Sequence, residues 1–254
     1  MFCVQPVGGT LIQLYMRKIL LLSLFLSLSA CQKDEVGENQ EEDNTSPLNY
    51  GTVIDQDNNQ YATIEIGKQI WMAENLKTTT YCNGDSISNI VDDDEWSNIN
   101  EAGWSYLEND SGHDSLFGKL YNWLTVYDER NICPCGWHVP TDAEWKELID
   151  YLGGPFVAGG KMKSKGNLFD GTGLWTHPNH AATNESGFSG LPGGYREVDG
   201  EFRSRNNFTF WWSSSEENEY FSIGFALRYN FGDVITAGYA NKKSGFSIRC
   251  IKNR

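Results

Sequence analysis

Apolar and polar residues alternate along several short segments of the chain, and this alternation predicts β-strands. It is clearest over 221–229, where the odd positions are large and apolar and the even positions are small or polar. Shorter alternating segments lie at 51–55, 59–66 and 69–72, and Asp, Asn and Gly residues between them indicate turns.

Two segments in the middle of the chain have apolar residues at helical spacing. Residues 119–127 carry them at 120, 123, 124 and 127. Residues 141–152 begin with Thr141 and Glu144 at the spacing of a capping box, and two glycines follow the last apolar position. Early strands, central helices and C-terminal strands together predict an α+β domain with a mainly antiparallel sheet.

The N-terminal region has the pattern of a lipoprotein signal peptide. A short positive segment at 16–18 precedes the apolar run 19–30, which is too short to span a bilayer and ends in Leu-Ser-Ala-Cys31. We therefore expect lipidation of Cys31, a signal peptide at 16–30, and an upstream extension at 1–15 that translation does not include. The alternative is an ordinary secretory signal with a chance cysteine.

The polar, acidic segment 31–48 predicts a flexible tether, and 49–254 a single folded domain. Lys-Asp-Glu at 33–35 resembles the surface-export signal of lipoproteins in the Bacteroides-type phylum. We expect an outer-membrane lipoprotein exposed at the cell surface, with a periplasm-facing anchor as the alternative. The lipid would be its only attachment to the membrane.

The charge of the chain argues against nucleic-acid binding. Loss of residues 1–30 removes two basic residues and no acid, so the net charge changes from −14 to −16. Such a chain repels the phosphates of DNA and RNA.

Four cysteines remain after Cys3 and Cys31 are set aside: Cys82, Cys133, Cys135 and Cys250. An even number in an exported chain predicts two disulfides, with three possible pairings. A direct bond between Cys133 and Cys135 would be strained. Positions 246, 248 and 250 share one face of a strand, which places the Cys250 sulfur in the core. The spacing is a poor match to a zinc site.

The candidate catalytic and metal-binding residues form no convincing constellation, so we expect no enzyme and no cofactor. The acidic run 92–95 leaves calcium as an alternative, although it lacks the alternating oxygen ligands of a calcium loop. We expect His138 to satisfy local backbone groups, and His177 and His180 to belong to a loop.

Aromatic residues give the best sequence argument for ligand binding. Four tryptophans, at 71, 123, 137 and 145, are expected in the core. Five other aromatic residues fall in loops or at strand ends, where an exposed ring could stack on a sugar and the alternative is burial: Trp104, Trp175, Tyr195, Trp211 and Tyr239. We expect a binding or adhesion module for a glycan or a surface protein. The alternatives are a structural envelope component without a small ligand and an enzyme on the same fold.

Six ordered blocks resemble one known family. They are Gly67 to Leu76, Gly118 to Trp123, Cys133 to Trp145, Gly187 to Gly194, Trp212 to Ser215 and Gly245 to Cys250. Over roughly 50–253 the chain resembles the Fibrobacter succinogenes major paralogous domain.

The resemblance implies a C-type-lectin-like fold, related in shape to the formylglycine-generating enzymes. It also implies that Cys133 pairs with Cys250, which leaves Cys82 for Cys135. A copper-binding thiolate pair, as in those enzymes, is missing because only Cys250 lies near the C-terminus. The calcium-lectin sugar motifs are missing as well.

Overall fold

A computed structural model describes residues 48–254, and all structural statements concern these residues. The strands are β1 (Tyr50–Ile54), β2 (Gln60–Ile66), β3 (Gln69–Met72), β4 (Ser88–Asn89), β5 (Gly103–Tyr106), β6 (Lys119–Tyr121), β7 (Trp137–His138), β8 (Tyr195–Arg196), β9 (Phe202–Arg203), β10 (Phe208–Glu216), β11 (Phe221–Arg228), β12 (Ile235–Asn241) and β13 (Ile251–Lys252). The helices are α1 (Asp93–Ser97), α2 (Asp114–Phe117), α3 (Trp123–Tyr127), α4 (Asp142–Tyr151) and α5 (Ala158–Met162). None of these helices has the length and apolar character needed to cross a membrane.

The largest sheet has five strands in the order β1-β2-β3-β13-β7. All its pairs are antiparallel. The predicted early strands are confirmed as β1, β2 and β3. The last strand lies between β3 and β7, since Ile251 pairs with both Trp71 and His138. The C-terminal strand β13 therefore joins the first three strands to β7, which comes from the middle of the chain.

A second sheet, β10-β11-β12, contains the strand predicted at 221–229. The pattern identified the strand, but both of its faces are covered, because the small even-numbered residues are buried as well. At Gly224 an added Cβ would lie 3.1 Å from the Phe246 ring. The remaining sheets are also small, and the arrangement fits the expected α+β class.

Helix α4 confirms the capping-box prediction. The Glu144 backbone N–H donates to the Thr141 hydroxyl, and the Thr141 N–H donates to the Glu144 carboxylate at 2.9 Å. The other helix prediction is half wrong. Lys119–Tyr121 is strand β6, because its backbone pairs with β5, and Asn122 then caps the short helix α3.

The core is rich in aromatic rings, and helix α4 packs its apolar face into it. The Trp145 ring lies 4.9 Å from the Trp71 ring and 4.9 Å from the Phe225 ring. The four tryptophans expected in the core are all buried, as predicted.

Candidate functional site

The two cysteine pairs are at disulfide distance. Cys133 lies opposite Cys250 with their Cα atoms 6.0 Å apart, and Cys82 lies opposite Cys135 at 5.7 Å. The first pair is buried in the core, whereas Cys135 is exposed. Both pairings agree with those that the family resemblance implied.

Three tryptophans proposed as sugar platforms are buried, so that prediction is wrong for Trp104, Trp175 and Trp211. Each indole N–H has an acceptor inside the protein. Trp104 donates to the Ile87 carbonyl at 3.0 Å, Trp175 to the Gly190 carbonyl at 3.1 Å and Trp211 to Asn75 Oδ1 at 2.9 Å. Segments distant in sequence cover these rings, which local sequence patterns do not reveal.

The two tyrosines of the same set differ from each other. Tyr195 is half-buried against Phe210, with ring centroids 4.9 Å apart. Tyr239 is 75% exposed, and its ring lies edge-on to Phe221 at 6.0 Å. Tyr239 is thus the one member of the predicted set that presents an open ring.

The acidic run 92–95 forms the start of helix α1. Asp92 caps this helix by accepting from the Glu95 N–H at 2.9 Å, and Asp93 pairs with the buried Arg196 at 2.8 Å. Over residues 48–254, no group of three His, Cys, Asp or Glu side chains is arranged to hold a metal ion.

His138 bonds to side chains rather than to local backbone, which corrects the sequence-based expectation. Its Nδ1 lies 2.7 Å from Asn253 Oδ1, and its Nε2 lies 3.0 Å from the Glu144 carboxylate. Burial alone would raise the pKa of Glu144, but hydrogen bonds from Thr141 and His138 lower it overall. The histidine therefore joins the helix cap to the C-terminus.

A polar cleft of about 400 Å³ lies where the segment after Tyr81 meets the end of α3. One wall of this cleft, formed by 86–88, belongs to the long polar excursion of the chain after Cys82, and we therefore call it the excursion cleft. Its polar lining residues are Tyr81, Ser86, Ser88, Glu101, Asp128 and Arg130.

Charged groups in the excursion cleft are held in fixed positions. Arg130 donates to both oxygens of Asp128, at 2.8 and 2.6 Å, and to Asp85 at 3.1 Å. Hydrogen bonds from Arg130 lower the pKa of Asp128 to about 2, so this carboxylate is ionised at neutral pH. The Arg130 guanidinium lies over the Tyr81 ring, 4.2 Å from its centroid.

The Tyr81 hydroxyl is buried and makes no hydrogen bond of normal geometry to any described residue. Burial, and then the charge of Asp128, raise the pKa of Tyr81. Buried polar groups in proteins are normally hydrogen-bonded, so an unpartnered hydroxyl in a cleft wall calls for an explanation.

Sequence reasoning missed this cleft because its two walls are far apart in the chain. The Cys82 N–H donates to the Asn131 carbonyl at 2.7 Å, and the neighbouring Cys82–Cys135 pair ties the same segments. Only the cysteine pairing implied by the resemblance could have indicated that Tyr81 meets Arg130.

The sequence model of the Fibrobacter succinogenes major domain matches residues 64–252. No curated protein and no solved structure matches the chain. The match spans β3 and the capped helix α4 and includes all four paired cysteines. The chain belongs to the Fibrobacter succinogenes major domain family.

Proposed function

We propose that the chain is an extracytoplasmic lipoprotein whose folded domain binds a glycan in the excursion cleft. The observation that carries this proposal is the buried Tyr81 hydroxyl, which lies in the wall of a polar cleft and makes no hydrogen bond of normal geometry among the described residues, its close polar contacts being the Asp128–Arg130 pair. Leaving such a group unpaired costs free energy, and a ligand hydroxyl would supply the missing hydrogen bond.

The lining of the cleft suits the hydroxyl groups of a neutral sugar. Glu101 and Asp128 accept hydrogen bonds, Ser86 and Ser88 both donate and accept, and Arg130 donates. Carboxylates outnumber cations in this lining, which disfavours acidic ligands and nucleic acids.

The cellular location in the proposal rests on the signal-peptide pattern and on the cysteines. Two cysteine pairs at bonding distance support an oxidising compartment. Cys31 would carry the lipid, with 31–48 as the tether, and the domain would face outward from the outer membrane. The fold in the proposal is C-type-lectin-like, supported by β13 lying between β3 and β7 and by the pairing of Cys133 with Cys250.

The lipid anchor is tested by Cys31→Ala in the producing cell. The wild-type protein should fractionate with membranes and carry an acyl group by mass spectrometry, whereas the variant should lack the acyl group and keep residues 19–30, because the cysteine that directs cleavage is gone. Residues 19–30 still attached to the wild-type protein would contradict this part of the proposal. Protease shaving of intact cells would distinguish surface exposure from a periplasm-facing anchor.

Glycan binding is tested with Tyr81→Phe, which removes only the unpartnered hydroxyl. The mature protein should bind members of a neutral-glycan array, and the variant should lose about tenfold in affinity, the effect of one lost hydrogen bond of roughly 1.4 kcal/mol. Its melting temperature should change little, because the hydroxyl makes no hydrogen bond of normal geometry within the described residues and would lose only its contact with the Asp128–Arg130 pair.

The matched control is Tyr220→Phe, since Tyr220 is 66% exposed and lies outside the cleft. This change should leave glycan binding unaltered. Equal affinity of wild-type protein and Tyr81→Phe for the array would refute the cleft as the site. Failure of the wild-type protein to bind any glycan, with envelope proteins co-purifying, would favour a structural role instead.

A further inference from the structure

Four basic side chains are buried in the described part of the chain: Lys119, Lys163, Arg196 and Arg249. Two of them have a carboxylate partner, because Lys119 pairs with Asp114 at 2.9 Å and Arg196 pairs with Asp93 at 2.8 Å. Buried charges are normally paired in this way.

Lys163 has no carboxylate partner, yet its hydrogen bonds are complete. Its Nζ donates to three backbone carbonyls at 2.8, 3.0 and 2.8 Å, those of His180, Arg228 and Phe231. An ammonium group has three N–H donors, and each has one acceptor here.

Arg249 has neither a carboxylate partner nor enough acceptors among residues 48–254. Its Nε and Nη2 both donate to Asn75 Oδ1, at 3.3 and 2.9 Å, and its Nη1 donates to the Phe188 carbonyl. A guanidinium has five N–H donors. Two of them therefore have no acceptor within the described residues.

The surroundings of Arg249 are rich in donors and poor in acceptors. Asn75 Oδ1 also accepts from the Trp211 indole at 2.9 Å, so one oxygen serves three donors. The guanidinium lies against two rings, 4.1 Å from the Phe188 centroid and 5.3 Å from that of Trp211. These rings stabilise a cation but do not neutralise its charge.

A cavity of about 300 Å³ opens beside this guanidinium, and we call it the arginine pocket. Arg249 is 1% exposed, whereas Tyr50 and Leu116 are 41% and 47% exposed, so the arginine lies at the inner end and these two at the rim. The other lining residues are Ala62, Ala73, Glu74, Asn75, Ser115, Ser189 and Leu191.

The one carboxylate in this lining is already occupied. Glu74 accepts from the Ala62 N–H at 2.9 Å and from Lys77 Nζ at 3.1 Å. The charge of Glu74 favours the Arg249 cation from a distance, but no carboxylate of the lining bonds to the guanidinium, and Lys77 already pairs with Glu74.

We infer that the arginine pocket binds the carboxylate group of a small ligand, about the size of a sugar acid. An anionic oxygen would satisfy the free N–H donors and neutralise the buried charge, and guanidinium–carboxylate hydrogen bonds are among the strong ones in proteins. A volume of about 300 Å³ is at the lower end of the range for ligand pockets. This site is separate from the excursion cleft and has the opposite charge preference.

The same carboxylate chemistry could come from the acidic tether, whose last residues precede the rim residue Tyr50 in sequence. The six acids of the tether lie outside the described residues: Asp34, Glu35, Glu38, Glu41, Glu42 and Asp43. The experiment therefore includes a full mature chain in which these six acids are changed to Gln or Asn, which we call the neutralised-tether chain.

The test is calorimetric titration of the mature chain with sodium glucuronate, using glucose at equal ionic strength as the uncharged counterpart. Glucuronate should bind saturably with a heat that Ser115→Trp weakens, whereas a heat from glucose belongs to the excursion cleft and should be the same in Ser115→Trp and wild type. Ser115→Trp, which places a large ring at an exposed lining position, should weaken glucuronate binding at least about tenfold. Ser111→Trp is the matched control, since Ser111 is exposed on the same segment but does not line the pocket.

Binding to wild-type protein and to Ser111→Trp, with loss in Ser115→Trp, would support the inference for a free ligand. Binding only in the neutralised-tether chain would support it with the tether as the resident carboxylate. Absence of binding in both chains, or equal binding in Ser115→Trp, would overturn it. Because neither serine side chain makes a hydrogen bond in the described residues, melting temperatures of both variants should match wild type.

Discussion

Lys163 and Arg249 show two ways in which one domain accommodates a buried cation without a carboxylate partner. Around Lys163 the backbone supplies as many acceptors as the ammonium has donors, and the site is closed. Around Arg249 one amide oxygen and one carbonyl serve a group with five donors, and a pocket adjoins it. The comparison teaches that burial alone does not mark a ligand site. Our inference of a carboxylate site at Arg249 rests instead on its shortage of acceptors.

The largest expected effect comes from removing the Cys133–Cys250 pair, because Arg249 precedes Cys250 in the same segment. In the chain-entropy model, Cys133→Ala with Cys250→Ala should lower the free energy of unfolding by up to about 5 kcal/mol. Native-state hydrogen exchange should accelerate at 246–251 more than at 159–163, around Lys163. Equal acceleration in both segments would show that the Arg249 site depends on the Cys133–Cys250 pair no more than the Lys163 site does.

Replacement of each cation by methionine sharpens the comparison further. Lys163→Met removes the donor of three partly buried carbonyls and should cost about 3 kcal/mol of unfolding free energy in urea denaturation. Arg249→Met leaves fewer acceptors without a donor and removes a buried charge that has no hydrogen-bonded carboxylate, so its cost should be smaller, about 1 kcal/mol. Lys161→Met, at a half-exposed surface pair with Glu185, is the control and should change stability by less than about 1 kcal/mol. A larger loss of unfolding free energy in Arg249→Met than in Lys163→Met would contradict the account that Lys163 has all its hydrogen-bond acceptors and Arg249 does not.

The pH dependence of stability gives a smaller effect with a definite sign. Burial lowers the pKa of Lys163 to about 8 and that of Arg249 to about 9. An unfolded lysine keeps its proton to about pH 10.4. At pH values between the lowered folded-state pKa of each group and its unfolded-state pKa, the unfolded chain binds more protons than the folded one. Stability should therefore rise with pH from about 8, by at most about 1.4 kcal/mol per pH unit for each group.

Urea denaturation at several pH values would check this rise. Lys163→Met should abolish the part that begins near pH 8, and Arg249→Met the part that begins near pH 9. A variant with the wild-type pH profile would contradict the corresponding lowered pKa.

Local patterns predicted the parts of the fold that local interactions determine. Strands β1 to β3 follow from alternation and turn residues, and helix α4 from its capping box. Residues 119–121 were assigned to a helix wrongly because pairing of β6 with β5, which is not local, overrides helical spacing.

The sites were harder to predict, because they depend on which segments cover one another. The sequence around Trp175 and Trp211 predicts a loop or a strand end, yet both side chains are fully buried. Alternation placed Cys250 in the core and so left Arg249 on the opposite face, but Phe188 and Trp211 cover that face too. A shortage of hydrogen-bond acceptors is visible only when the partners from distant segments are known.

The most direct measurement is the ¹⁵N NMR spectrum of the Arg249 side chain, with its Nε–H signal assigned by comparison with Arg249→Lys. Our account predicts that this signal moves saturably as glucuronate is added to the mature chain, or to the neutralised-tether chain if the tether fills the pocket, and stays still with glucose. An Arg249 signal that glucuronate leaves unmoved in both chains would contradict it.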